Sequence, residues 1–363
     1  MLYHLLYSLT DQVSFFNLFK YITFRSAGAT LTALIVTLIF GPLFIRLLNR
    51  QGVKEKIREE GPRTHYVKEG TPTMGGIIIL TAIILSTLLW ADLTNRYVQL
   101  ILFVTFWMGA IGFMDDYMKA ILKRPKGMVG RYKLAGQIVC GLAVGLTLFY
   151  FAPSDSFGPT TEIPFIKHYF LDFKWVVLFV PFVVLVITGS SNAVNLTDGL
   201  DGLATGLCGI VFVAFAGLAY VSGRNDFSGY LQITYLEGAG ELTIYCTAAM
   251  GAALGFLWYN SHPAEVFMGD TGALALGGAI GTIAIMLKKE LLLVIVGAVF
   301  VAEALSVILQ VASFKLRGKR IFRMAPLHHH FEQIGWPETK VVTRFWIIGA
   351  ICALLTLATL KIR

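Results

Sequence analysis

Charge is what this sequence has least of. Lys and Arg total 30 and Asp and Glu 22 in 363 residues, so 14% of the side chains are charged, where soluble domains carry about 25%. Hydrophobic residues make up 56% and the mean hydropathy is +0.70. A chain so poor in charge cannot cover a water-facing surface of its own size, which excludes a soluble enzyme and a disordered segment. It also excludes a nucleic-acid-binding domain, although the formal net charge is +8. Cysteine is scarce too: Cys140, Cys208, Cys246 and Cys352 all fall inside apolar runs with no C-x-x-C pair, which excludes a disulfide framework and a cysteine-based zinc site. Residues 1–21 lack a basic start, a sustained apolar stretch and a small-residue cleavage site, so a removable signal peptide is not expected. Neither an internal repeat nor a separate polar segment is visible, and a single integral membrane domain over 1–363 is expected.

Long apolar runs fill the space that charge vacates. Ten are long enough to span a bilayer: 26–46, 73–93, 97–117, 134–152, 175–191, 199–221, 239–259, 266–286, 291–309 and 341–360. They are continuously apolar rather than alternating, which indicates helices and not barrel strands. The expected fold is therefore all-α, a polytopic membrane protein with about ten transmembrane helices. Lys and Arg cluster in the first loop (Arg50, Lys54, Lys56, Arg58, Arg63, Lys68), the third (Lys119, Lys123, Arg124, Lys126, Arg131, Lys133) and the ninth (Lys315, Arg317, Lys319, Arg320, Arg323). The even-numbered loops hold few, among them Arg96, Lys167, Arg224, Lys288 and Lys289. By the positive-inside rule the odd loops face the cytoplasm and both termini lie outside.

The polar, motif-like segments all border odd loops, so one face carries the chemistry. A transporter would more often place polar groups near the bilayer midplane; an enzyme joining a cytosolic substrate to a lipid would place them at this face. Asp115 and Asp116 close the third span, where a helix C-terminus disfavours negative charge and a compensating cation is needed. Lys119 lies one turn on, and paired carboxylates with lysines make a site for Mg²⁺ and phosphate oxygens; a solvated helix end is the competing reading. The segment Asn192, Asn195, Asp198, Asp201 places a polar group every third residue. Across nine residues of straight helix that stripe drifts by about half a turn, and Gly199 and Gly202 would permit the break that brings the four to one ligand. The plainer reading is a polar turn; the spacing is not that of a calcium loop. Asp270 sits just inside the span that begins near Val266, where an acid is a functional candidate by default and a helix cap is the alternative. Phe267 can stack on a base or join an interfacial aromatic belt. His328, His329 and His330 are consecutive, so their side chains diverge; they suit phosphate contacts better than zinc. Glu303 is an intramembrane acid with no assigned role.

Taken together, the segments Gly70–Gly76, Asp115-Asp116, Asn192–Gly202, Phe267–Asp270 and Pro326–Phe331 resemble those of the bacterial phospho-N-acetylmuramoyl-pentapeptide-transferases. These enzymes are a branch of the polyprenyl-phosphate N-acetylhexosamine-1-phosphate transferases. The resemblance runs over nearly the whole chain, and the triple histidine points to the muramoyl-pentapeptide branch. It implies transfer of phospho-N-acetylmuramoyl-pentapeptide from UDP-N-acetylmuramoyl-pentapeptide to undecaprenyl phosphate, giving lipid I and UMP with Mg²⁺ as cofactor, in the bacterial cytoplasmic (inner) membrane. It further implies a homodimer among membrane lipids, no nucleic acid partner, and binding of uridine-containing nucleoside antibiotics. Carried over by residue, it makes Asp270 a magnesium ligand, and Asp115 and Asp116 the pair that activates the lipid phosphate and supports the metal. His328, His329 and His330 complete the catalytic group. Lys68, Thr73, Asn192, Asn195, Asp198, Asp201, Asn260 and Phe267 match nucleotide-sugar contacts, and Lys119 and Lys133 match phosphate or uridine contacts. The readings to be distinguished from this one are a GlcNAc-1-phosphate transferase of the same superfamily and a cation-coupled transporter using Asp115, Asp198 and Asp270.

Overall fold

The computed structural model describes residues 2–7, 10, 13–51, 70–124, 127–154, 157–166 and 170–361; Lys68 lies outside them. The chain begins with the short α1 (Leu2–Tyr7) and a 3₁₀ turn (Ser14–Lys20), followed by α2 (Ile22–Arg50), α3 (Gly76–Trp90), α4 (Arg96–Ala120) and α5 (Gly130–Tyr150). A small hairpin of β1 (Thr160–Glu162) and β2 (Phe170–Asp172) precedes α6 (Val176–Thr197), α7 (Leu203–Ser222), α8 (Asn225–Leu231) and α9 (Leu242–Asn260). Then come α10 (Gly269–Met286), α11 (Glu290–Val296), α12 (Ala298–Arg317), α13 (Leu327–Gln333) and α14 (Glu338–Ala358). Nine helices among the described residues are long and apolar enough to cross a membrane, and the hairpin, antiparallel with Thr161 opposite Leu171, is the only sheet there. The fold is all-α and polytopic.

The second expected span, 73–93, is the apolar but shorter α3 of 15 residues. Its beginning is set back because Gly75 and Gly76 donate their amides to Phe267 O (2.9 Å) and Met268 O (2.8 Å), while Phe267 N donates to Pro72 O (2.9 Å). The segment before α3 thus runs beside the segment before α10 instead of extending the helix. The expected span 291–309 is broken at Gly297 into α11 and α12. Apolarity is continuous through the break, so hydropathy gives no sign of it, whereas glycine carries the weakest helical preference after proline. Beyond the break, Leu305, Ile308, Leu309 and Phe314 of α12 are exposed. In the other direction α6 runs six residues past the expected 191, to Thr197.

α10 is the centre of the bundle. Half of its residues are Gly or Ala, and 94% of its spanning window is buried, because small residues let neighbouring backbones close in. A Cβ on Gly76 would stand 2.1 Å from Gly272 N, and one on Gly112 would stand 2.2 Å from Asp270 O. Glycine at these two places is what lets α3 and α4 meet the first turn of α10 at backbone distance. At the far end of α10 a second group of charges is buried. There Lys289 pairs with Glu162, Thr161 Oγ1 donates to Glu290, and Lys288 donates to Gly158 O and lies 3.7 Å from the Phe157 ring centre. These bonds tie the hairpin to the α10–α11 junction.

Candidate active site

The close approach of α4 to α10 puts the C-terminal end of one helix against the N-terminal end of the other. A carboxylate is disfavoured at the first and favoured at the second, and Asp116 resolves the conflict. Its Oδ1 accepts from Asp270 N (3.1 Å) and its Oδ2 from Thr271 N (2.8 Å) and Thr271 Oγ1 (2.6 Å). Asp116 therefore caps α10 from the neighbouring helix. It is 3% exposed, and both of its oxygens are engaged in this way.

Asp115 points elsewhere. Its Oδ1 accepts from Met128 N at 2.6 Å, and its Oδ2 lies 2.8 Å from Lys119 Nζ and 3.5 Å from Lys133 Nζ. The same two ammonium groups lie 2.7 and 3.1 Å from Asp270 Oδ2, and Asp270 Oδ1 accepts from Asn195 Nδ2. Asp115, Lys119, Lys133, Asn195 and Asp270, contributed by α4, α5, α6 and α10, thus form one cluster. The cation that the sequence required beside Asp115 is present twice over. Lys119 is 38% exposed and Asp270 12%, so the cluster opens to the outside through its lysines. Thr73 adjoins it: a Cβ on Gly269 would meet Asp116 Oδ2 at 2.7 Å and Thr73 Oγ1 at 3.1 Å. Gly269 itself has φ +73°, a left-handed turn that brings Asp270 to the start of α10.

The remaining candidates are spread around this centre. Asn192 does not face it; its Nδ2 donates to Gln137 Oε1 and Thr188 O, both 2.8 Å, and braces α6 against α5. Asp198, partly exposed, ends α6. Asp201 turns toward the 262–264 loop and α14, with Oδ2 3.0 Å from His262 Nδ1 and 3.2 Å from Ala264 N. Its own amide donates to Glu338 Oε1 at 2.8 Å. Asp201, His262 and Glu338 are a trio of potential ligand groups within 4.8 Å of one another, with contacts already made among themselves. Asn260 is buried, accepting from Gly202 N (3.1 Å) and Thr205 Oγ1 (3.0 Å) and donating to Val266 O (2.9 Å); it fastens the α9–α10 loop to the start of α7. Phe267 is half-buried beside that loop. The three histidines diverge as expected. His329 Nδ1 is 2.8 Å from Glu332 Oε2, and His330 Nδ1 accepts from Arg323 N at 3.2 Å. His328 is wholly buried beside Glu303.

Three groups in this arrangement are absent from the candidates read in the sequence: Thr271, Gln137 and the pair His262 with Glu338. Thr271 follows Asp270 directly and lies in the first turn of α10, close to where hydroxyl side chains commonly take part in capping. No local signal links Gln137 to Asn192 or Glu338 to Asp201, since each pair is joined only by tertiary packing.

Comparison with known proteins bears on the same segments. A family profile described as Glycosyl transferase family 4 matches residues 98–288, and one described as Phospho-N-acetylmuramoyl-pentapeptide-transferase signature 1 matches residues 68–80. The chain is 55% identical to the phospho-N-acetylmuramoyl-pentapeptide-transferase of Gemmatimonas aurantiaca, with all of both chains covered. It is 54% identical to that of Thermodesulfovibrio yellowstonii and 51% to that of Koribacter versatilis, again with full coverage. With full-length identity above half and the signature falling on the segment that pairs with the start of α10, the chain belongs to the phospho-N-acetylmuramoyl-pentapeptide-transferase family.

Proposed function

We propose that this chain transfers phospho-N-acetylmuramoyl-pentapeptide from UDP-N-acetylmuramoyl-pentapeptide to undecaprenyl phosphate, yielding lipid I and UMP. The observation that carries the reading is the convergence of Lys119 and Lys133 on Asp115 and Asp270 within 3.5 Å, at the ends of helices long enough to span. A lipid phosphate and a nucleotide diphosphate can meet only where their charge is neutralised, and this cluster holds both cations and metal-binding oxygens at such a place.

Asp115 and Asp270 offer carboxylate oxygens with no sulfur or imidazole between them, a donor set that suits Mg²⁺. These two would hold it, and when bound it supplies positive charge to the diphosphate. Lys119 and Lys133 then shift from the carboxylates to phosphate oxygens and offset the charge that grows on the departing UMP. Asp115 accepts the proton of the lipid phosphate; the freed oxygen bonds to the β-phosphorus as the bond from that phosphorus to the bridging oxygen breaks, and UMP leaves with the electron pair. Asn195 orients Asp270, and Asp116 fixes the turn from which Asp270 projects. Thr73, Asp198 and Phe267 face the nucleotide-sugar, while Asp201 and Asn260 hold the loops that carry those contacts. On this reading the whole chain is one catalytic domain in the bacterial cytoplasmic membrane, with the cluster on the cytoplasmic side and both termini outside. It acts as a homodimer, and its uridine site admits uridine-containing nucleoside antibiotics.

The test supplies purified protein with undecaprenyl phosphate, Mg²⁺ and either UDP-N-acetylmuramoyl-pentapeptide or UDP-GlcNAc, and follows UMP release with and without EDTA. Release from the muramoyl substrate alone, abolished by EDTA and restored by Mg²⁺, is expected. Release from UDP-GlcNAc, or none from either by folded protein, refutes the assignment. Exchange of labelled UMP into the nucleotide-sugar by lipid-free enzyme would replace the single displacement with a covalent enzyme intermediate.

A further inference from the structure

Glu303 and His328 are both 0% exposed, and neither touches the aspartate–lysine cluster. Glu303 lies in α12, beyond the break at Gly297, and His328 lies in α13. Glu303 Oε1 accepts from His328 N at 3.1 Å and stands 3.2 Å from His328 Nδ1, so one carboxylate caps the start of α13 and lies against the imidazole. The far edge of that ring meets the turn between Asp198 and Asp201: a Cβ on Gly199 would lie 2.3 Å from His328 Nε2 and 3.0 Å from its Cε1. Gly199 does not have a positive φ, so its backbone does not demand glycine; the imidazole fills the space where a side chain would stand. His328 Nδ1, His328 Nε2 and Glu303 Oε2 have no hydrogen-bond partner among the described residues. Leaving such groups unpaired inside a protein is costly, a cost that an apolar residue at 328 would avoid.

We propose that Glu303 and His328 are positioning residues for nucleotide-sugar recognition: α12 holds the imidazole through Glu303, and the imidazole holds the Asp198–Gly202 turn through contact with Gly199. This rests on the transferase reading and deepens it, by giving the intramembrane acid of α12 a role in binding the water-soluble substrate. The same Asp201 end of the turn is held independently by Glu338, so the turn is gripped at both ends by the segments that follow α12. Displacing such a turn by about 1 Å is enough to cost on the order of 100-fold.

The experiment is a cycle of full-length variants assayed for the KM of each substrate, for binding of UMP without lipid acceptor, and for melting temperature. Gly199→Ala should raise the KM for the nucleotide-sugar at least tenfold and weaken UMP binding in step, with the KM for undecaprenyl phosphate unchanged. Glu303→Gln/His328→Ala, which removes the ring together with the charge it would strand, should raise the same KM. In that background, adding Gly199→Ala should cost less than twofold, because the clashing ring is gone. Equal effects of Gly199→Ala in both backgrounds overturn the proposal, as does an unchanged nucleotide-sugar KM in Glu303→Gln/His328→Ala. A fall in melting temperature with both KM values moving together assigns the pair to folding alone and also overturns it. Failure of the unmodified protein to bind UMP or turn over the muramoyl substrate refutes the transferase reading itself, so the two failures are distinguishable.

Discussion

Adjacent aspartates at one helix end should behave as two different kinds of residue, and Asp116→Asn tests this. The wild-type carboxylate accepts three bonds from the first turn of α10, at 3.1, 2.8 and 2.6 Å. An asparagine can keep its oxygen on Thr271, which brings the larger share, but its amide then faces Asp270 N, donor against donor. The stranded buried N–H costs about 1–3 kcal/mol, and the surviving bonds lose their charge assistance, about 1 kcal/mol more. Relief of the buried charge returns part of this, leaving roughly 2–3 kcal/mol. At about 2 °C per kcal/mol for a chain of this size, the melting temperature in detergent should fall by about 5 °C. Asp270 sits one peptide from the disturbed bond, and a misplacement of about 1 Å lowers turnover on the order of 100-fold. Scanning fluorimetry and UMP release measured on the same preparation check both numbers. Lost activity at an unchanged melting temperature would mean that Asp116 acts on metal or substrate directly, and the capping argument would be wrong.

Asp270→Asn is expected to abolish turnover while moving the melting temperature by less than about 2 °C, within the range of partly exposed substitutions; near-normal UMP release would remove Asp270 from the site. Lys133→Met should lower kcat more than tenfold and leave the protein folded, since Lys119 continues to bridge Asp115 and Asp270; unchanged kcat would exclude it as a phosphate contact. The buried charges at the opposite end of α10 give a pH dependence. Burial pushes the Glu290 carboxyl from 4.5 up to about 7 and the Lys288 ammonium from 10.5 down to about 8, beside Glu162 and Lys289. The stabilising contribution of Glu290 is complete below pH 4.5 and lost as pH rises to about 7; that of Lys288 is complete above 10.5 and lost as pH falls to about 8. Their joint contribution is therefore smallest between about pH 7 and 8. Melting curves across pH should show the acid limb vanish in Glu290→Gln and the alkaline limb in Lys288→Met, and identical profiles in all three proteins would refute this.

Much of the fold is legible because a bilayer admits few solutions: an apolar run of spanning length has to be a helix. What hydropathy misses is decided by the backbone. It sums side chains, so it reads through Gly297, where α11 ends and α12 begins. It also places the end of α6 at the first polar residues, although Asn192 and Asn195 continue the helix because Gln137 and Asp270 satisfy their amides. The hairpin at 160–172 offers strands of three residues, too short for an alternating pattern. In the site, the acids and lysines announce themselves by being costly where they stand. Their division of labour does not: Asp115 and Asp116 differ only in which way a helix turns them, and Asn192 and Asp201 share a motif with Asn195 yet face other partners. His328 is the sharpest case, since the acid it is buried against is Glu303, 25 residues earlier.

The shared contacts of Lys119 and Lys133 with Asp115 and Asp270 make the resting cluster its own counter-ion: two positive groups meet two negative ones. Occupation by a polyanion is then an exchange of partners and not a capture by excess positive charge. The lysines can release the carboxylates only if another cation takes those oxygens, and a divalent ion can settle there only if the lysines find phosphate. Metal and diphosphate should accordingly bind as a linked pair, each weak alone and tight together, and the added salt that weakens a bare electrostatic encounter should affect their joint affinity far less.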